Sequence, residues 1–126
     1  MIASVGLIGD PVSHSLSPAM HNAAFVWYDL PDRYTLWHTP AAALPERINM
    51  LRAEGMRGAN VTLPHKLAVV PLVDQVDSVV EAVGALNTIV READGRLRGL
   101  NTDVPGFLRA LQAAAFAPQG RRAVVL

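Results

Sequence analysis

Polar side chains capable of chemistry are concentrated in four short segments of this sequence. Together they supply two serine hydroxyls, three asparagine amides, three threonine hydroxyls, one lysine and one aspartate. That set suits a small polyhydroxylated carboxylate, because neutral donors and a cation can bind the carboxylate while amides and an aspartate bind ring hydroxyls. Each segment lies at the end of a predicted strand, where open α/β sheets bind ligands. The segments are residues 14–18, 60–66, 84–88 and 101–103.

Lys66 is the residue in these segments that points most directly to proton transfer. Of the eleven basic residues, ten are arginine and only this one is lysine. A surface lysine placed there by chance is the alternative interpretation. The functional interpretation rests on chemistry, because a lysine can be desolvated and lose its proton near neutral pH, whereas an arginine stays charged. We therefore predict that Lys66 takes part in proton transfer.

Asp103 and Ser17 each have a structural alternative to a role in binding or catalysis. Both stand at the start of a predicted helix, in the position of an N-cap, and both residue types are favoured caps. Asn60, Thr62 and Asn87 could similarly close turns next to strands. The residues alone leave these alternatives open, and one side chain can serve both purposes.

The composition excludes several classes of site and partner. There is no cysteine, so disulfides and cysteine-ligated metals are excluded. The four histidines lack H-x-x-x-H or H-x-H spacing, so no metal site is predicted. Acidic and basic residues balance at eleven each, with no basic stripe for nucleic acid. No signal peptide and no apolar run of ~20 residues is present, so we expect a cytoplasmic protein without a membrane span.

Hydrophobic patterning predicts an α/β fold, with a mostly parallel sheet flanked by helices. Helices are predicted to begin at Ser17 and Asp103 and to cover residues 45–54 and 72–83. The apolar face of the first helix is predicted to be Met20, Ala23, Ala24 and Trp27. Strands are predicted over residues 5–8, 33–38, 58–62, 85–91 and 97–101, and a further strand opens at 121–126.

The four segments resemble, in order, the signatures of the shikimate dehydrogenase family. Residues 9–22 carry Gly-Asp-Pro, then His-Ser-Leu-Ser-Pro and His-Asn, and residues 58–66 read Gly-Ala-Asn-Val-Thr-Leu-Pro-His-Lys. Residues 84–88, Gly-Ala-Leu-Asn-Thr, and 99–103, Gly-Leu-Asn-Thr-Asp, match two more. One such match is weak, but four in register identify the sequence as similar to this family.

The resemblance implies a three-layer α/β/α substrate-binding domain and the NADPH-dependent, reversible reduction of 3-dehydroshikimate to shikimate in aromatic amino-acid (chorismate) biosynthesis. It implies that Ser15 and Ser17 bind the substrate carboxylate. The residues that it implies for the ring hydroxyls are Asn60, Thr62, Asn87 and Asp103. It further implies that Lys66 and Asp103 form the catalytic pair, with Lys66 transferring the proton at the reacting oxygen.

The family places a glycine-rich dinucleotide loop directly after a strand that resembles residues 123–126, and this sequence stops before such a loop. The resemblance therefore implies that residues 1–120 form the substrate-binding domain and residues 121–126 the first strand of a truncated NADP-binding domain. A strand at a free C-terminus is unusual, because chain ends normally fray into solvent. We expect no cofactor-binding residues in this chain and NADP bound by a missing domain, so that the fragment binds shikimate without turnover.

Two related activities are alternatives at this point. A quinate/shikimate dehydrogenase stays open, whereas the serine pair favours a carboxylate ligand over the folate of a methylenetetrahydrofolate dehydrogenase. Val104 follows Asp103 where many members carry glycine, a change that affects only the entry to the helix. The sequence leaves the oligomeric state open, with a homodimer as one alternative.

Overall fold

The computed structural model describes residues 4–125 of the chain. Within this range it has six strands and four α-helices. The strands are β1 (Ser4–Gly9), β2 (Arg33–His38), β3 (Met56–Val61), β4 (Gln75–Val76), β5 (Thr88–Arg91) and β6 (Leu97–Leu100). The helices are α1 (Ser17–Trp27), α2 (Leu44–Met50), α3 (Ser78–Val83) and α4 (Asp103–Ala113), with 3-10 turns at Ala41–Ala43 and Val70–Leu72.

The six strands form one mixed sheet in the order β2-β1-β3-β5-β6-β4. β1 pairs in parallel with β2 and β3, and β4 pairs in parallel with β6, whereas β5 runs antiparallel to both of its neighbours. Parallel neighbours need a crossover connection, and α1 and α2 lie in the two crossovers that flank β2. The predicted α/β class with a mostly parallel sheet is confirmed, and β5 is the strand that departs from it.

Helices pack on both faces of the sheet. Leu7 and Ile8 are consecutive in β1, so their side chains point to opposite faces. Ile8 belongs to the larger buried core, to which α2 contributes Ile48. Leu7 belongs to a smaller buried group with Tyr34, against which Phe25 of α1 packs. The predicted layers of helix, sheet and helix are therefore present.

The face that α1 turns towards the sheet differs from the predicted one. The predicted apolar face is exposed in the structure, and it consists of Met20, Ala23, Ala24 and Trp27. The side that contacts the sheet carries His21, whose ring stacks on Tyr34 with centroids 4.3 Å apart. It also carries Asn22, whose amide accepts from Tyr34 N at 2.8 Å and donates to Tyr34 O at 3.0 Å. β2 is an edge strand with unpaired backbone groups, so an amide next to it satisfies two of them.

The helix predicted over residues 72–83 is wrong in its first half. Val76 lies in β4, where it pairs with Gly99 of β6, and α3 begins only at Ser78. Asp77 sets this start, because its Oδ1 accepts from Val80 N at 2.8 Å as an N-cap. The spacing of the valines suited a helix, but β-branched side chains suit a strand equally well.

Residues 121–125 have no regular secondary structure, although a strand is predicted for residues 121–126. Val124 and Val125 are exposed, and Leu126 lies outside the described residues. A strand needs a neighbour that satisfies its backbone groups, and none of the six described strands pairs with this segment. The division into two domains at residue 120 therefore stays a prediction.

None of the helices within residues 4–125 is long and apolar enough to cross a membrane.

Candidate active site

The four polar segments lie along one edge of the sheet. β1, β3 and β6 run in the same direction, so the segments that follow or end them meet at this edge. Residues 84–88 differ from the prediction, because they lead into the beginning of β5 and do not follow a strand. β5 is antiparallel to β3, with Thr88 opposite Asn60. The antiparallel strand therefore brings this segment to the same edge as the other three.

Lys66 and Asp103 form an ion pair at this edge, although they are 37 positions apart in the sequence. Lys66 Nζ donates to Asp103 Oδ2 at 2.6 Å. The lysine side chain is 27% exposed and the aspartate side chain 54%, so a ligand can reach the pair from solvent. The backbone of Lys66 is held as well, because its carbonyl accepts from Leu86 N at 2.9 Å.

Asn87 fixes the orientation of the Asp103 carboxylate. Its Nδ2 donates to Asp103 Oδ1 at 2.9 Å and to Thr102 Oγ1 at 2.8 Å. Its Oδ1 accepts from Thr102 N and from Thr88 Oγ1, both at 3.0 Å. These four bonds use both donor hydrogens and both lone pairs of the amide. Because Asn87 binds one carboxylate oxygen, the other is directed at Lys66.

The Asp103 side chain is not the cap of α4, which was one of the two interpretations of this residue. Thr102 occupies the N-cap position and Asp103 is the first helical residue. The first-turn amide of Val104 donates instead to Oδ1 of the buried Asn101 at 3.1 Å. Since Asn101 binds the helix amide, the carboxylate of Asp103 is available for the ion pair with Lys66.

Ser15 and Ser17 contact each other at the beginning of α1. Ser15 Oγ donates to Ser17 Oγ at 3.1 Å and accepts from Ser17 N at 3.2 Å. The N-cap role predicted for Ser17 is wrong, since Leu16 holds the cap position and Ser17 is the first helical residue. Ser15 provides the side-chain acceptor for a first-turn amide. Two hydroxyls this close together can bind both oxygens of one carboxylate.

Thr62 and Ser15 both line a cavity of about 350 Å³ at the end of β1. The remaining lining residues are Leu7, Asp10, Pro11, Val12, His14 and Leu63. Thr62 is held by its backbone, whose N–H donates to Ile8 O at 2.9 Å. Within residues 4–125, the Thr62 side chain makes no hydrogen bond to the other predicted site residues, so only the cavity links it to the serine pair.

Tyr34 is a residue of this site that the sequence analysis missed. Its side chain is only 3% exposed, yet its hydroxyl donates to Asn60 Oδ1 at 2.9 Å. Burial raises the pKa of Tyr34 to about 12, and the neighbouring Ser17 side chain opposes part of that rise. On the other side of the same amide, Asn60 Nδ2 donates to Thr88 Oγ1 at 3.2 Å. In the sequence, Tyr34 has the pattern of a core residue. The one signal for a role in the site is that the hydroxyl of a buried tyrosine needs a hydrogen-bond partner.

This arrangement combines a proton-exchanging pair with nearby donors and acceptors for hydroxyl and carboxylate groups. Lys66 and Asp103 can give a proton to a ligand oxygen or take one from it. Among residues 4–125, no three histidine, aspartate or glutamate side chains are grouped so that they could hold a metal ion. The fold and the site therefore define an α/β domain whose polar side chains, grouped around a lysine–aspartate pair, suit a small polar ligand.

Comparison with known proteins agrees with this description. Residues 7–89 match the model of the shikimate dehydrogenase substrate binding domain. The chain is 51% identical over 122 residues to shikimate dehydrogenase (NADP(+)) of Moorella thermoacetica, an alignment that covers 97% of this chain and 41% of the relative. The enzyme of the same name from Rubrobacter xylanophilus is 50% identical over 121 residues, covering 96% and 43%.

A solved structure gives the same result for the fold. Shikimate 5-dehydrogenase from Thermus thermophilus, crystallised in complex with shikimate, superposes with a TM-score of 0.84 at 42% identity. The match covers 95% of this chain and 46% of that one. The chain belongs to the family of shikimate dehydrogenase substrate-binding domains. It spans about two fifths of the length of the curated relatives it matches.

Proposed function

We propose that this chain is the substrate-binding part of a longer shikimate dehydrogenase, which reduces 3-dehydroshikimate reversibly to shikimate with NADPH in aromatic amino-acid biosynthesis. The observation that carries the proposal is the Lys66–Asp103 pair, joined at 2.6 Å and oriented by Asn87. An ion pair that is open to solvent can exchange a proton with a bound hydroxyl. The family to which the chain belongs supports the choice of substrate.

In this proposal Ser15 and Ser17 bind the substrate carboxylate. The Ser15 hydroxyl donates to Ser17 in the structure, so its hydrogen must turn towards a ligand carboxylate, which can only accept. The exchange is favourable, because a hydrogen bond to an ionised acceptor is stronger than one between two neutral hydroxyls. Thr62 lines the same cavity as Ser15, and in this proposal it contacts the ring of the same ligand.

Asn60, Asn87 and Asp103 are proposed to bind ring hydroxyls together with Thr62. Asn60 Oδ1 accepts one hydrogen bond, from Tyr34, and keeps a second lone pair for a ligand hydroxyl. Asn87 already uses all of its hydrogen-bonding groups, so it contacts a hydroxyl only by exchanging one of its present partners. Its first contribution is therefore to orient Asp103.

The catalytic step that we assign to this chain is the movement of one proton. Oxidation of a secondary alcohol to a ketone releases the hydroxyl proton, and reduction returns a proton to the same oxygen. Lys66 Nζ is the proposed partner of that oxygen in both directions. Asp103 stabilises the ammonium form of Lys66 and accepts from a neighbouring hydroxyl.

The relatives named above are NADP(+) enzymes. NADP is a dinucleotide, and dinucleotides of this kind are bound by a glycine-rich loop between a strand and a helix. Residues 4–125 contain no such loop, so these residues do not fit NADP. We therefore propose that NADP is bound by a further domain of a longer polypeptide, whose first strand is formed by residues 121–126. The longer polypeptide is called the full-length enzyme below.

A turnover assay tests the proposed function. Purified full-length enzyme is given shikimate and NADP(+), and NADPH formation is followed by its absorbance. We expect turnover from the full-length enzyme and none from residues 1–126 alone, even where calorimetry detects shikimate binding by that fragment. Absence of turnover in the full-length enzyme would contradict the proposal. A higher kcat/KM with quinate than with shikimate would favour a quinate/shikimate dehydrogenase instead.

A further inference from the structure

A continuous line of side-chain hydrogen bonds joins Tyr34 to the Lys66–Asp103 pair. Its successive members are Tyr34, Asn60, Thr88, Asn87 and Asp103. The bonds from Tyr34 onwards measure 2.9, 3.2, 3.0 and 2.9 Å. Tyr34 and Thr88 are the two members for which the proposed function provides no role.

The direction of these bonds follows from groups that can only donate or only accept. Asn60 Nδ2 faces the backbone carbonyl of Asn87 at 3.4 Å, so the opposite end of the amide, Oδ1, must face Tyr34. The Tyr34 hydroxyl has a single hydrogen and gives it to this oxygen.

We propose that Tyr34 is a positioning residue for substrate binding, which holds the Asn60 amide from one side while Thr88 holds it from the other. This inference rests on the proposed function. An amide has nearly the same shape when rotated by 180°, but its donor and acceptor exchange places. Tyr34 donates to the acceptor end while the Asn87 carbonyl accepts from the donor end, so together they fix Oδ1 as the group of Asn60 that meets a ring hydroxyl.

The position of the Tyr34 ring does not depend on a ligand. The side chain is buried, His21 stacks on one face of the ring, and Asn22 holds the backbone on both sides. The hydroxyl is therefore already in place before substrate arrives. Preorganisation of this kind strengthens binding because little side-chain ordering remains to be done on association.

Tyr34→Phe in the full-length enzyme tests the proposal, because it removes the hydroxyl and keeps the ring. KM for shikimate should rise roughly three- to tenfold, as expected for the loss of one neutral hydrogen bond. kcat should change less than about threefold, since Asn87 still orients Asp103. Tyr28→Phe is the matched control, because Tyr28 is exposed and lies outside the hydrogen-bond line, and it should change neither constant.

A double-mutant cycle separates positioning from a general effect on the fold. If Tyr34 acts through Asn60, Tyr34→Phe should raise KM in the parent and leave it unchanged in an Asn60→Ala background. An unchanged KM in the parent, or an equal rise in both backgrounds, would overturn the proposal. Circular dichroism checks folding, and Thr88→Val replaces Tyr34→Phe in the same cycle if that variant does not fold. If the parent full-length enzyme is inactive, the proposed function is wrong and this inference fails with it. If the parent is active but KM is unchanged by Tyr34→Phe, or rises equally in both backgrounds, only the inference about Tyr34 fails.

Discussion

Asn87 and Asp103 are joined by a hydrogen bond of 2.9 Å from Nδ2 to Oδ1, and this bond leaves the second carboxylate oxygen facing Lys66. The two oxygens of Asp103 therefore have different partners, one neutral and one cationic. A carboxylate held in this way cannot rotate freely between lysine and ligand. The charge that stabilises the Lys66 ammonium is fixed in position before a substrate binds.

Asp103→Asn should lower kcat of the full-length enzyme by about 100-fold or more while the enzyme melts close to the parent. The amide keeps the shape of the side chain but removes the charge opposite Lys66. Stability should change little, because Thr102 is at the cap position and an acid in the first turn contributes only about 0.3–1 kcal/mol through the helix dipole. Steady-state kinetics and thermal unfolding by circular dichroism measure the two effects. A near-parent kcat would show that the carboxylate has no part in the reaction.

Replacing both serines, Ser15→Ala with Ser17→Ala, should raise KM for shikimate by at least about tenfold. Each lost hydrogen bond to a charged group contributes about 1.5–3 kcal/mol. Ser15→Ala alone should also destabilise α1 by about 0.5–2 kcal/mol, because its side chain accepts from the Ser17 amide. Ser13→Ala is the control, since Ser13 is exposed and precedes the pair by two residues. If KM is unchanged in the double variant, the carboxylate is bound elsewhere.

Stability at acid pH should depend on Asp74. The hydrogen bond from Arg52, followed by that from the Leu97 backbone amide, lowers the pKa of Asp74 below 3.8. A carboxyl whose pKa is lower in the folded state stabilises the fold above its unfolded pKa, and this contribution disappears as the pH falls through the folded pKa. Asp74→Asn should therefore lower Tm clearly at pH 7 and by a smaller amount near pH 3. Glu54→Gln, at an exposed acid after α2, is the control. An equal loss of Tm at both values of pH would contradict this account.

Local patterns predicted those parts of the fold that depend on local sequence. The apolar run in β1 ends at Gly9-Asp10-Pro11, and β2 has the predicted bounds, Arg33–His38. Leu44, Ile48 and Leu51 are buried as the helical spacing of α2 predicts. Elements whose conformation depends on a distant partner were predicted less well. β4 exists because Val76 pairs with Gly99, and the valine spacing contains no information about that partner.

The candidate site shows the same division. Residue types and positions next to strands predicted that Lys66, Asn87 and Asp103 would lie together, and the structure places them in contact. Tyr34 was not predicted, because its role depends on a hydrogen bond to Asn60 across 26 positions of sequence. The inward side of α1 was mispredicted for a related reason, since Asn22 binds an edge strand whose position the sequence pattern does not give.

The most direct test of the central claim, that Lys66 transfers a proton at the reacting oxygen, is kcat of Lys66→Arg in the full-length enzyme. Arginine keeps the positive charge and can still bind Asp103, but it does not lose its proton at working pH. We predict that kcat falls by ~10²–10⁴-fold, as in Lys66→Ala, while shikimate binding measured by calorimetry changes much less. Parent-like turnover in Lys66→Arg would contradict the claim and would reduce Lys66 to a positive charge next to Asp103.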